Sequence, residues 1–161
     1  MYEAEVINLV RSKVGFMGTI DENRPRVRPM KPYIDREGRI WLFSRYDTKK
    51  VAEMQQNPRI ELCFVGDDQE VLTIYGRMKN VTKPGDPAFR VRRDMMFVDM
   101  PEMKQYIAEG DVDSIVIYQL LVHEIRYMRA DCELTTRVNL PMEHDPDVEM
   151  ALCQGGFCLL P

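Results

Sequence analysis

A mainly β fold with short helices, an antiparallel sandwich or barrel, is predicted for this chain by three observations. Apolar and polar residues alternate with period two through residues 14–81, the pattern of strands that bury one face. Turn clusters at residues 21–24 and 35–38 cut the alternation, and connections of that length suit hairpins. Helical periodicity is confined to brief segments. A length of 161 residues fits one domain with room for a hydrophobic core.

Taken in order, residues 2–11 read as a helix with Val6, Ile7 and Val10 on one face, expected to pack across a barrel opening. Strands follow at 14–20, 26–34 and 39–43, the three forming a meander. After Phe43 the stretch SRYDTKKVAEMQQNP inserts a short helix. Asp47 is its expected cap, Val51 and Met54 its apolar stripe, and Asn57-Pro58 its stop. Strands resume at 59–65 and 71–81. KPGDP marks a turn, after which 88–97 and 101–109 read as two short helices parted by Pro101. Residues 114–119 and 121–128 are β-branched and aromatic, as strands are. Beyond Arg129 the periodicity dissolves among Pro141, Pro146, Gly155 and Gly156. The expected organisation is a body of residues 1–129 with an irregular extension, 130–161, packed on it.

Charge restricts the function. Lys and Arg number 22 against 26 Asp and Glu, a net charge of −4, so the basic footprint of a nucleic-acid binder is missing and any anion site must be local. No apolar run approaches the ~20 residues that cross a bilayer, and the start, MYEAEVINLVRSK, is polar where a signal peptide carries an apolar core. With four cysteines, Cys63, Cys132, Cys153 and Cys158, too few for a disulfide framework, the expectation is a cytoplasmic protein without membrane or nucleic-acid partners.

The densest chemical feature is RPRVRPMK, which sets Arg24, Arg26, Arg28 and Lys31 within eight residues. On a strand Arg26, Arg28 and Met30 share one face, and such a row is unfavourable unless it meets water, acids or a bound anion. A solvated edge strand and an anion site are the two readings. Thr48, Lys49 and Lys50 favour the second, because free N–H groups and the dipole at a helix start attract anions and a hydroxyl with two ammonium groups adds hydrogen bonds. Trp41 and Phe43 read as packing residues, and His123 as a hydrogen-bonded structural one. Met95, Met96, Met100 and Met103 suit an adaptable apolar surface, at a dimer contact or over a ligand mouth. Cys153 and Cys158 have C-x4-C spacing, outside the compact C-x2-C of a zinc knuckle, so no metal is expected.

Order and spacing together carry a resemblance. The stretch RVRPMKPYIDREGRIWLFSRYDTKKVAEMQQNPRIELCF is similar to the pyridoxamine 5'-phosphate oxidase-like FMN-binding split-barrel family, and its RPM and its WLFS followed by T-K-K look like the general-stress-protein branch. What the resemblance implies is a split β-barrel, an antiparallel Greek-key barrel, forming a homodimer with FMN at the subunit interface. Position by position it places Arg26 and Lys31 at the basic ends of the second strand, with Arg28 the alternative to Arg26 at the phosphate. Val27, Arg28, Pro29 and Met30 match backbone along the flavin edge, Phe43 and Ser44 an aromatic-hydroxyl pair, and Thr48, Lys49 and Lys50 the phosphate holders. The C-terminal Arg and His with which true oxidases hold their substrate have no match here. The resemblance therefore implies a flavoprotein passing electrons between NAD(P)H and a small acceptor, without pyridoxamine phosphate oxidase activity. A non-catalytic flavin-binding or sensing protein, and the same barrel using haem or a deazaflavin, are the alternatives.

Overall fold

The computed structural model describes residues 2–82, 87–105, 114–131 and 136–138. A helix, α1 (Glu3–Ser12), precedes the strands β1 (Gly15–Asp21), β2 (Arg24–Met30), β3 (Tyr33–Ile34) and β4 (Ile40–Arg45). Next come α2 (Lys49–Gln56), β5 (Arg59–Val65), β6 (Val71–Asn80), α3 (Pro87–Asp99), a 3-10 turn (Pro101–Gln105), β7 (Ile115–Met128) and β8 (Thr136–Arg137). All pairings are antiparallel, in the order β2-β1-β5-β6-β7-β4-β3 with β8 added to β7. The mainly β barrel expected from the alternation is present. Among the described residues, no helix is long and apolar enough to cross a membrane.

The expected strand 26–34 is instead two strands, and the first three strands do not form a meander. β2 and β3 follow one another in the chain yet stand at opposite ends of the strand order, joined by Lys31-Pro32. Proline explains the break. Pro25 and Pro29 leave β2 without two ladder donors, which only an edge strand tolerates, and β2 pairs with β1 alone. Pro32 ends pairing before Tyr33 begins a new ladder with Trp41.

The two strands expected at 114–119 and 121–128 are one continuous strand, β7, spanning β4, β6 and β8. Its partners step from Tyr75–Glu124 to Gly76–Val122, so His123 is an extra residue that bends the strand as a bulge does. Gly76 permits the bend: a Cβ there would lie 2.3 Å from the Leu121 carbonyl oxygen.

Two apolar clusters hold the elements. Inside the barrel, Met17, Leu62, Phe64, Leu72, Ile74 and Leu120 pack with Val6, Leu9 and Val10 of α1, all at most 3% exposed, so α1 plugs the barrel as its apolar face requires. Outside β4 and β7, Trp41, Ile115 and Ile117 pack against Phe89 and Met96 of α3 and against Met100 and Met103. This second cluster fixes the 3-10 turn beside the end of β4. Helix α3 replaces the shorter helix expected at 88–97, and the second expected helix is a 3-10 turn over its described part, with residues 106–109 outside the described residues.

Of the expected extension, Thr136–Arg137 pairs with Arg126 and Tyr127 of β7 and Val138 is buried in the inner core. Residues 132–135 and 139–161, with Cys132, Cys153, Cys158 and His144, lie outside the described residues.

Candidate functional site

A cleft of about 410 Å³ opens where the end of β2, the end of β4, the start of α2 and the 3-10 turn converge. The sequence-predicted residues Pro29, Met30, Lys31, Phe43, Ser44, Thr48 and Lys50 line it. Residues distant in sequence thus meet because Lys31-Pro32 crosses from one sheet end to the other. Arg26, Val27, Arg28 and Lys49 do not line the cleft.

The basic row of β2 separates into different roles. Arg26 donates from Nε and Nη2 to Asp21 across its own hairpin. Arg28 donates to buried Glu53 Oε2 of α2 at 2.5 Å and to Thr19 Oγ1 at 2.9 Å, while the Thr19 hydroxyl donates to the same carboxylate oxygen at 2.6 Å. This triad clamps α2 to the β1–β2 hairpin, and breaking one partner would strand a buried charge. Lys31 donates from Nζ to the backbone oxygens of Val10, Arg11 and Lys13 at 3.2, 2.5 and 2.9 Å, a cation at a helix C-terminus. Its alkyl stem lines the cleft while its charge sits at the end of α1.

Lys50 is different. One turn before Glu53 and half-buried, it has as its hydrogen-bond partner only Met30 Sδ at 3.9 Å, and no carboxylate among the described residues meets it. Burial, and behind it the Arg28 guanidinium, hold its ammonium below the usual lysine range, so its charge is under-compensated. Arg28 is thereby the β2 arginine whose field reaches Lys50, whereas Arg26 faces its own turn.

The start of α2 is open. Its N-cap is Thr48 rather than the expected Asp47, and Thr48 makes no side-chain cap bond. Asp47 is instead paired with Arg45 at 2.8 Å. The Thr48 hydroxyl lies 3.0 Å from Ser44 Oγ and donates to the Arg45 carbonyl oxygen at 3.0 Å, which stitches β4 to α2. The helix start, a hydroxyl and an ammonium that meets no carboxylate among the described residues border the cleft, a setting for an oxyanion. Lys49 is exposed and faces solvent beside it.

The cleft also has an apolar wall. Met30, Phe43, Met100 and Met103 form its wall, with Val14 at the rim. The methionine-rich segment had signalled adaptable surface; its approach to β4 is set by the second apolar cluster, which no local pattern encodes. Val14, Arg45 and Glu102 also line the cleft and carried no sequence signal. Trp41 lies elsewhere: it packs under α3 with the Arg92 guanidinium 4.1 Å from its ring centroid and donates from Nε1 to Asp35 at 2.9 Å. His123 packs edge-on to Tyr75 with centroids 5.2 Å apart. Among the described residues no group of His, Cys, Asp or Glu is arranged to hold a metal.

Residues 3–128 match the model of the pyridoxamine 5'-phosphate oxidase family. The chain belongs to the pyridoxamine 5'-phosphate oxidase family. Solved structures share the fold. A NimC/NimA family protein from Clostridium acetobutylicum is 19% identical with a TM-score of 0.69, over 84% of this chain and 91% of that one. A protein of the same organism related to general stress protein 26 of B. subtilis is 22% identical with a TM-score of 0.67, over 85% and 94%. A FAD-binding protein from Mesorhizobium loti is 16% identical with a TM-score of 0.62, over 78% and 92%. A search of curated proteins returned no match. The split-barrel fold of the pyridoxamine 5'-phosphate oxidase family is thus the frame in which the cleft sits.

Proposed function

We propose that this member of the family is a flavoprotein that binds FMN and passes electrons between a reduced nicotinamide nucleotide and a small acceptor. The observation that carries the reading is the cleft's mixed lining: half-buried Lys50, which meets no carboxylate among the described residues, beside the uncapped start of α2, and a methionine-phenylalanine wall that begins at Met30. A flavin mononucleotide has the matching parts, a doubly charged phosphate and a flat apolar ring system. Thr48 and Lys50 hold the phosphate, with the Arg28 field behind them; Met30, Phe43, Met100 and Met103 flank the ring, and Pro29-Met30 runs along its edge. Family membership and the FAD-binding neighbour support flavin as the ligand class. The flavin supplies the hydride chemistry; the chain supplies anchorage, orientation and exclusion of water, and no side-chain acid or base is assigned.

A homodimer completes the reading. On the outward face of β2-β1-β5, Phe16, Val27 and Val65 are 47%, 69% and 51% exposed, with Pro29 and Cys63 the partners flanking Phe16. These apolar residues, beside exposed Glu61 on the same face, fit a second copy of the chain, and Val14 at the cleft rim, 57% exposed, joins that face to the cleft.

The experiment is a fluorescence titration of the purified chain with FMN and with riboflavin, followed by NADH or NADPH addition. FMN is expected to bind more tightly by about 1.5 to 3 kcal/mol, the scale of hydrogen bonds to a charged group, and its absorbance to bleach with the nucleotide. Equal affinities would remove the phosphate-anchor reading; tight binding without bleaching would leave a flavin-binding protein that does not turn over.

A further inference from the structure

A second cleft of about 380 Å³ lies beside the first and shares with it Lys31, Met100 and Glu102. Its cations come from one side of the fold and its carboxylates from another. Arg11 belongs to the last turn of α1 and Arg36 to the β3–β4 turn; Asp99 ends α3 and Glu102 lies in the 3-10 turn.

Neither arginine is matched by an acid among the described residues. Arg36 is exposed and forms no hydrogen bond or ion pair among the described residues, because the neighbouring carboxylates are already taken. Asp35 accepts from Arg39 Nε at 2.8 Å and from Trp41 Nε1 at 2.9 Å, and Glu37 pairs with Arg39. Arg11 reaches only the Asp35 carbonyl oxygen, at 3.5 Å. Lys31 adds positive potential from the floor although its ammonium is bound to carbonyls. Opposite in charge, Asp99 accepts from the Tyr33 hydroxyl at 2.5 Å, and Glu102 holds a carboxylate with no hydrogen-bond partner among the described residues.

This lining selects against simple ions. A bare anion would be attracted by the guanidinium groups and repelled by Asp99 and Glu102, and a bare cation the reverse. A ligand that presents phosphate to arginine and hydroxyl donors to a carboxylate satisfies both, since guanidinium matches phosphate oxygens in a fork and carboxylates accept from ribose hydroxyls. We propose that the second cleft binds the phosphate-ribose portion of a nucleotide, held by Arg11 and Arg36 at the phosphate and by Glu102 at the ribose hydroxyls, next to whatever occupies the first cleft. The proposal goes beyond the flavin reading and does not require it.

The test is calorimetric titration of the full chain with ADP-ribose, inorganic phosphate and adenosine, with FMN titrated separately into the same preparations. ADP-ribose binds more tightly than either fragment by about tenfold or more, the scale of one added charge-assisted hydrogen bond. An Arg11→Ala, Arg36→Ala double variant loses about that factor for ADP-ribose and keeps its thermal midpoint, both side chains being exposed. Glu102→Ala weakens ADP-ribose but not inorganic phosphate. Lys50→Ala, outside this cleft, leaves ADP-ribose binding unchanged. Affinity for ADP-ribose no better than for phosphate, indifference to the double arginine variant, or loss with Lys50→Ala would each overturn the proposal. Failure of FMN to bind in the same preparations would count against the flavin reading alone.

Discussion

At the residue scale, Lys50 is a cation held against the preference of its surroundings. Its pKa is lowered by burial first and by Arg28 second. A lysine with a lowered folded pKa takes stability away from the ligand-free protein at every pH below that value, because the unfolded chain carries the proton at less cost. An anion in the cleft reverses the sign. Lys50→Met, close in shape and free of charge, is therefore expected to raise the urea midpoint of the ligand-free protein while weakening FMN by about 1.5 to 3 kcal/mol. A fall in both would mean that Lys50 is structural. Arg28 is the contrast: its charge is clamped to Glu53, 6% exposed, and removing it would unfold before it informed. The RPRVRPMK motif announced basic charge at the right strand, but which cation stays free depends on Glu53 of α2 and the carbonyls of α1, partners that no spacing within the motif specifies.

At the element scale, the β3–β4 hairpin is closed by one carboxylate. Asp35 accepts from the backbone N–H groups of Glu37 and Arg39, each at 2.9 Å, as well as from the Arg39 and Trp41 side chains, and Gly38 takes the positive φ of 84° that the turn needs. Burial alone would raise the Asp35 pKa, but the Trp41 and Arg39 hydrogen bonds outweigh it and the carboxyl lies below its usual range. A lowered carboxyl stabilises the fold above the unfolded pKa and loses that contribution as pH falls through the folded one. The stability gap between wild type and Asp35→Asn should accordingly be widest at neutral pH and shrink below about pH 4, as read by urea midpoints across a pH series; a gap independent of pH would show that geometry, not charge, closes the turn. This hairpin was legible because its signals are local. The break at Lys31-Pro32 and the continuity of β7 were not, since the first depends on β2 being an edge and the second on a bulge made possible by Gly76. Local alternation sees neither neighbour. The cap of α2 shows the same limit: Asp47 suits a cap by type, yet Arg45 two residues earlier draws it away.

At the scale of the whole molecule, the proposed second copy would sit on the exposed apolar residues of β2-β1-β5. Light scattering is expected to give twice the chain mass of 18.9 kDa. Val27→Glu, on the exposed side of an edge strand and therefore compatible with folding, should give a folded monomer that releases FMN faster; a dimer undisturbed by a charge there would put the interface elsewhere. A different consequence follows from the path of the chain at Lys31-Pro32. The barrel is a hoop whose ends are β2 and β3, and those two residues are its clasp. Two strands joined by only two residues have β1, β5, β6, β7 and β4 ranked between them, so the ladders that complete the hoop are long-range pairings. The cleft takes one wall from the clasp's Lys31 and from Pro29 and Met30 of β2 just before it. Anything that fills the cleft touches the end of β2 and the end of β4, the strand on which β3 pairs. Amide exchange should slow together in β2 and at the end of β4 when FMN is added, although those strands share no ladder; protection in only one of them would show that the ligand does not bridge them. Ligand occupancy would then brace a gap between β2 and β4 that no ladder spans, and the empty protein is expected to open there more readily than between its central strands.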